Sequence, residues 1–237
     1  VSAALGNECT QLDPNSPILS NGFGQNPSNT RNGVSSITSK NVGLLRLRFA
    51  LGGYDPKKPG EPARERRGAP AVTEQALFYF VGNQIAAAAR STGCTFWTAT
   101  LTNPEDGKLD TPRSSSLLLA DNPSGGRMLF VGSKSGFVYG LDAANGSTIW
   151  SKSVSEDPKD RDLLHAITGG MQFNNDRLFV PVATFEVVLA RNPDYPCCSS
   201  CGRVVAFNAF NGEFLWAFDT VPPGGSGGSV WSALSVD

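Results

Sequence analysis

A short unit that ends in tryptophan occurs three times in this chain of 237 residues. The clearest copy is GRMLFVGSKSGFVYGLDAANGSTIWSKSV at 126–154. A second is ALFYFVGNQIAAAARSTGCTFWTATL at 76–101. The third begins at DRLFVPVATFE and resumes after an insertion as GRVVAFNAFNGEFLWAFDTV at 202–221. Trp97, Trp150 and Trp216 close the copies, so the repeat is about 50–65 residues long, a period that belongs to propellers and solenoids. Within a copy, LFVGSKSGFVYGLDA alternates apolar with small or polar residues around a Ser-Gly turn, the pattern of two antiparallel strands. Asn145-Gly146 and Asn211-Gly212 follow at matching places, with Thr92-Gly93 in the first copy. Asn-Gly is a strong hairpin signal, because both residue types accept positive φ. The bulk of each Trp suits packing between neighbouring sheets.

Composition agrees with this reading. Charged residues are 17%, and 26 Gly and 16 Pro make the chain turn-rich and unlike a helical protein. No apolar run reaches the ~18 residues of a membrane-spanning helix. The formal charge is −1, and the basic cluster Arg64-Glu65-Arg66-Arg67 sits in a Pro/Gly stretch that reads as a solvated loop. Nucleic-acid binding therefore has little support.

The five cysteines are Cys9, Cys94, Cys197, Cys198 and Cys201. An odd number leaves one unpaired or bonded to another chain. Zinc wants four ligands, and the single histidine, His165, lies well upstream of the Cys197–Cys201 cluster. No CxxCH haem motif occurs. The cysteines read as structural disulfides of an oxidising compartment, secreted or periplasmic. Two pairings stay open for the cluster: Cys197 with Cys198, or Cys198 with Cys201. Cys9 with Cys94 closes the set if the N-terminal segment folds back over the first copy.

The repeats, together with HAITGGMQFNNDRLFVPVATFEVVLARNPDYPCCSSCGRVVAFNAFNGEFLWAFDTV, resemble the pyrroloquinoline-quinone-dependent dehydrogenases. The likeness is to their polyvinyl-alcohol-dehydrogenase-like branch. FGQNPSNTRNGVSSITSKNVGLLRLRFAL is similar to that family's opening, and VWSALSVD to the start of a further blade. The resemblance implies an all-β propeller of four-stranded antiparallel blades, with pyrroloquinoline quinone (PQQ) and Ca²⁺ near the axis. It implies a disulfide between Cys197 and Cys198 on which the quinone stacks. Arg113 would pair with a quinone carboxylate, Thr168 would offer a hydroxyl, and Trp231 would line the axis. Glu186 would serve as a cation ligand, since hard cations prefer carboxylate oxygen. His165 reads as closing a local hydrogen bond and not as a base. The chain departs from the family at Cys201, where an Arg is usual, at Asn208 in AFNA for ALDA, and at IAAAARS for VYALDA.

A full ring of eight such blades needs roughly 400 residues or more, so this chain holds about three to four blades. Residues 1–40 read as a lead-in and 41–237 as a partial propeller, with the next blade starting near Trp231. The family's catalytic base has no counterpart here, so the catalytic residue is unknown. Two functions follow. The chain is the N-terminal part of a quinoprotein alcohol dehydrogenase, inactive alone and completed by the rest of the ring or by other chains. Alternatively, it is a non-catalytic extracellular propeller used in assembly or binding, since fold does not determine function.

Overall fold

The computed structural model describes residues 9, 11–33, 35–51, 68–155 and 164–237. The basic cluster at Arg64–Arg67 lies outside them. Three antiparallel sheets account for nearly all regular structure. The first sheet runs β1 (Ile18–Ser20), β2 (Ala71–Thr73), β3 (Ala76–Val81), β4 (Gln84–Ala89), β5 (Thr95–Thr102) and β6 (Leu109–Asp110), in that spatial order. The second is β7 (Leu118–Asp121), β8 (Arg127–Gly132), β9 (Phe137–Asp142) and β10 (Thr148–Ser153). The third holds β11 (His165–Ala166), β12 (Gln172–Asn174), β13 (Arg177–Thr184), β14 (Arg203–Asn208) and β15 (Phe214–Asp219), with β11 and β12 both paired to β13. Helical pieces are short: α1 (Glu186–Leu189) and a 3-10 turn at Val42–Leu44. No helix among the described residues is long and apolar enough to cross a membrane.

Each sheet is a propeller blade, and one row of side chains repeats through all three. Trp97 and Phe78 both pair with Ala87, Trp150 and Phe130 with Gly140, and Trp216 and Phe179 with Ala206. A small residue on the third strand lets the two rings approach across it. Their centroids lie 6.0, 5.9 and 6.0 Å apart, within the range of favourable tilted aromatic pairs. The three tryptophans therefore hold the same place within their blades, as the repeat predicts, but among the described residues only Trp97 and Trp150 are packed between two sheets, and Trp216 is 39% exposed.

Trp97 and Trp150 also reach the following blade. The Trp97 indole N–H donates to Ala143 O at 3.1 Å, and that of Trp150 to Ala209 O at 2.9 Å. Their rings pack against the turn glycines of those blades. A Cβ on Gly146 would stand 2.7 Å from Trp97, and one on Gly212 2.8 Å from Trp150. On the first blade Phe49 takes the same seat, 2.8 Å from where a Cβ on Gly93 would be.

The turns differ from the sequence expectation in one respect. Gly93, Gly146 and Gly212 adopt φ of 75°, 76° and 70°, but Asn145 and Asn211 do not have positive φ. Each turn is a wider loop closed by the glycine N–H, to Ala89, Asp142 and Asn208 O at 2.7, 2.8 and 2.9 Å. Asp142 Oδ1 accepts the N–H of Ala144 at 2.8 Å, and Asn208 Oδ1 that of Phe210 at 2.9 Å. An amide oxygen thus replaces the carboxylate, so the AFNA departure leaves the turn intact. The tight turn with two positive φ values falls instead at Asn175-Asp176, between β12 and β13.

Two cores result, one on each face of the second blade. Leu119, Leu129, Val131, Tyr139 and Leu141 face the first blade. Leu118, Met128, Phe130 and Val138 face the third, against Ile167, Val180 and Phe207. Alternate residues of one strand go to opposite cores, the period of two that a pleated strand imposes. The starts of the blades run side by side. Ala69 bridges Ser116 in parallel, Ser115 N donates to Gly169 O at 3.3 Å, and Leu234 N to Gly170 O at 3.2 Å. That places the blades radially around a common axis. A Cys9–Cys94 disulfide with Cα atoms 5.8 Å apart ties the N-terminal segment to the first blade.

Candidate functional site

In an antiparallel meander, alternate turns emerge on opposite faces. The connections 133–136 and 185–202, and the described parts of those leading from one blade into the next, all lie on one face. Every residue singled out from sequence, Arg113, Thr168, Glu186, Cys197, Cys198 and Trp231, belongs to these connections.

The 185–202 insertion is built around Glu186, which is 1% exposed. Its Oε1 accepts from the Tyr195 hydroxyl at 2.8 Å, and from Ser199 N at 2.9 Å and Ser199 Oγ at 3.1 Å. Its Oε2 accepts from Ser200 N at 2.7 Å, from Ser200 Oγ, and from Thr184 Oγ1 at 3.4 Å. Burial alone would push this carboxyl up. The Ser200 hydroxyl, the Ser199 and Ser200 amides and the Tyr195 hydroxyl outweigh it and hold the group at about 2, against an ordinary 4.5. Glu186 is therefore an anion that fastens both ends of the insertion. Tyr195, Ser199, Ser200 and Thr184 carry no mark in the sequence as its partners. The nearest signal is the hydroxyl-rich Ser199-Ser200 directly after the cysteine pair.

Cys197 and Cys198 form a disulfide across a cis peptide. Cys197 is exposed and Cys198 half-buried, so the pair is displayed on the face while the next two residues are pinned to Glu186. Cys201 is the free cysteine. Burial, then the charge of Asp219, pushes its thiol up, away from thiolate reactivity. This is the arrangement that the resemblance implies, and it excludes the Cys198–Cys201 bond.

His165 is 5% exposed. Its Nε2 lies 3.2 Å from Cys201 O and its Nδ1 3.1 Å from Ser155 Oγ. A carbonyl can only accept, so Nε2 carries a proton and donates it to Cys201 O. Both nitrogens are engaged, in keeping with a structural role.

The remaining positions form one backbone row. Arg113 N donates to Gly132 O at 2.7 Å, Ile167 N to Ser133 O at 3.0 Å, and Val230 N to Val182 O at 3.2 Å. Arg113 is exposed, Thr168 half-buried and Trp231 76% exposed. Gly169 sits against both Ser115 and Ser232, which makes the connections carrying Arg113, Thr168 and Trp231 neighbours. Among the described residues no group of three or more His, Cys, Asp and Glu is arranged to hold a metal ion.

Residues 61–233 match the PQQ_2 family model, described as outer membrane protein assembly factor BamB. The chain belongs to this family. Its relatives carry the dehydrogenase likeness. This PQQ_2 chain is 24% identical over 245 residues to the polyvinylalcohol dehydrogenase of a Pseudomonas species, covering 95% of the chain and 35% of that protein. It is 25% identical over 168 residues to the polyvinylalcohol dehydrogenase of Sphingopyxis sp. strain 113P3, covering 62% and 23%. The chain thus spans about a third or less of the curated relatives it matches. Among solved structures, it superposes on quinohemoprotein alcohol dehydrogenase from Comamonas testosteroni with a TM-score of 0.64 at 20% identity, covering 87% of this chain and 28% of that one. A europium-containing methanol dehydrogenase gives 0.61 at 19%, covering 89% and 33%. At these identities the superpositions establish the propeller fold.

Proposed function

We propose that this chain is the part of a quinoprotein-type alcohol dehydrogenase propeller that carries the cofactor platform. The observation behind this reading is the Cys197–Cys198 disulfide, displayed on the face where the blade connections gather and braced from below by Glu186. A disulfide between neighbouring residues is a compact, polarisable surface suited to stacking. Trp231 offers an exposed ring and Arg113 an exposed guanidinium on the same face, the latter matched to a quinone carboxylate. Thr168 supplies a half-buried hydroxyl beside them.

PQQ, when bound, supplies the oxidant: it takes up two electrons and two protons from an alcohol as the alcohol becomes a carbonyl compound. The chain's own residues bind and orient it. The residues described here fit the quinone better than the cation. Both Glu186 oxygens already take more donors than the roughly four lone-pair sites of a carboxylate accommodate at full strength. A Ca²⁺ at Glu186 needs Ser199 and Ser200 to release it, and it needs further oxygen ligands, which no cluster of three or more His, Cys, Asp and Glu supplies among the described residues. The substrate is an alcohol of the class the polyvinylalcohol dehydrogenases act on, and turnover requires the remainder of the ring. The working compartment is extracytoplasmic, where disulfides persist.

The test is titration of the chain with PQQ, with and without Ca²⁺, followed by tryptophan quenching and quinone absorbance. Binding by the native chain that is lost in Cys197→Ser/Cys198→Ser supports the reading. Equal binding by both proteins, or no binding by either, overturns it and favours a propeller used for assembly. Dye-linked alcohol oxidation by the isolated chain, above a no-protein control, overturns the dependence on the rest of the ring.

A further inference from the structure

The opening motif FGQNPSNTR has no part in the site described above, yet it is among the most tightly organised stretches of the molecule. Arg31 N donates to Gly24 O at 3.1 Å, Asn26 Nδ2 to Thr30 Oγ1 at 2.6 Å, and Thr30 N to Asn26 Oδ1 at 3.2 Å. The Arg31 guanidinium lies over the Phe23 ring, 4.9 Å from its centroid. Asn29 has φ 52° and packs so closely on Gly24 that a Cβ there would overlap it. The loop is thus shaped to present the Asn29 side chain.

Both ends of that amide are used, on two different parts of the propeller. Oδ1 accepts from Gln172 Nε2 at 3.0 Å, and Gln172, 1% exposed, opens β12, the innermost full strand of the third blade. Nδ2 donates to Leu234 O at 2.5 Å. The flanking residues reinforce the second contact: Val236 N donates to Pro27 O at 3.0 Å, and Ser28 Oγ to Val236 O at 3.3 Å. Residues 230–237 form no regular strand. Their other holds come from the third blade, through Val182 and Gly170 and through Asn174 to Asp237 O. The segment carrying Trp231 therefore lies between the inner edge of the third blade and this loop.

We infer that the Gly22–Arg31 loop is an axial clasp. Asn29 is its positioning residue, setting the place of Trp231 on the cofactor face by tying residues 234–236 to Gln172. The assignment of Trp231 to a cofactor face rests on the quinone reading; the clasp itself does not. An asparagine suits the position twice over. It tolerates a left-handed backbone, and its amide both donates and accepts, which no carboxylate or hydroxyl does in the same geometry.

Hydrogen exchange of the full chain without quinone tests the clasp. Asn29→Gly keeps the left-handed backbone and deletes both side-chain bonds. The amides of Leu234 and Val236 are expected to exchange about tenfold faster, with β8, β9 and β14 unchanged, as for local opening of one unit. Asn29→Asp keeps the acceptor for Gln172 and removes the donor to Leu234. It carries the test if Asn29→Gly does not fold, with the same local increase expected. Unchanged exchange at 234 and 236 in a folded variant overturns the clasp. PQQ titration is the second readout: affinity about tenfold weaker in Asn29→Gly at an unaltered thermal midpoint supports positioning, and equal affinity overturns it. A native chain that takes up no PQQ sinks the quinone reading, and exchange then decides the clasp by itself.

Discussion

The outermost strands of the second and third blades carry a tryptophan at the same place in different surroundings. Trp150 and Trp216 hold the same place in their blades, each beside a phenylalanine across a small residue. Trp150 is 7% exposed, closed off by Gly212 and bonded to Ala209 O. Trp216 is 39% exposed, and Phe218 on the same strand is 64% exposed. On β10 the next blade covers Trp150, whereas on β15 no such cover lies over Trp216 among the described residues. The blade supplies half of the Trp site by itself, the aromatic pair. The other half, a glycine floor and a carbonyl acceptor, comes from a neighbour. A propeller of this type is therefore stabilised pairwise, each interface adding to the next, as in other repeat arrays.

The largest expected effect tests that asymmetry directly. Trp150→Ala should cost about 3–5 kcal/mol in denaturant unfolding, the range for a large aromatic removed from a core. Trp216→Ala should cost about 1 kcal/mol, because its ring is already partly in water. Equal losses at the two sites would break the comparison. The glycine floors come next. Gly212→Ala and Gly107→Ala both place a side chain at positive φ, which costs about 1 kcal/mol. Gly107 has open space around it, but Gly212 lies under the Trp150 ring. Gly212→Ala should therefore cost about 1–3 kcal/mol more, the usual penalty of overpacking.

A third measurement separates the blades by pH. The β8–β9 ladder of the second blade is held by backbone hydrogen bonds, which do not titrate, although its 133–136 turn also rests on a carboxylate, with Ser135 Oγ donating to Asp110 Oδ1 at 2.6 Å. The third blade's insertion is held by ionised Glu186. A carboxyl lowered from 4.5 to about 2 by folding contributes stability that is complete above pH 4.5 and lost as pH falls towards 2. Acid should therefore raise exchange in 185–200 before it affects β8 and β9. Glu186→Gln should cost about 1–3 kcal/mol at neutral pH and abolish that dependence. Synchronous acid loosening of both blades would show the bracing charge to be irrelevant. The smallest effect belongs to the turn residues. Asn208→Ala, losing its bond to Phe210 N, should cost about 1 kcal/mol. Asn208→Asp should be nearly neutral, since Asp142 holds the equivalent turn in the second blade.

Much of this architecture is legible in the chain itself. The recurrence of Trp97, Trp150 and Trp216, the alternation around Ser-Gly, and the turn glycines are local signals, since period-two burial and positive φ are properties of a few consecutive residues. They determine the blades, their antiparallel order and their radial repetition. The adjacency of Cys197 and Cys198 likewise needs no fold to be seen. What the tertiary structure decided is what each of these groups meets. Ala87, Gly140 and Ala206 matter because a Trp and a Phe from strands on either side close over them, a relation set by register. Glu186 is one carboxylate in a loop until that loop turns back and puts Ser199 and Ser200 on its oxygens. Asn29 is one polar residue in a polar stretch until folding brings Gln172 and Leu234 to its two ends, 143 and 205 residues away in the chain. Hydrogen-bond partners so distant are chosen by the packing of whole blades, and no local pattern of residues encodes them.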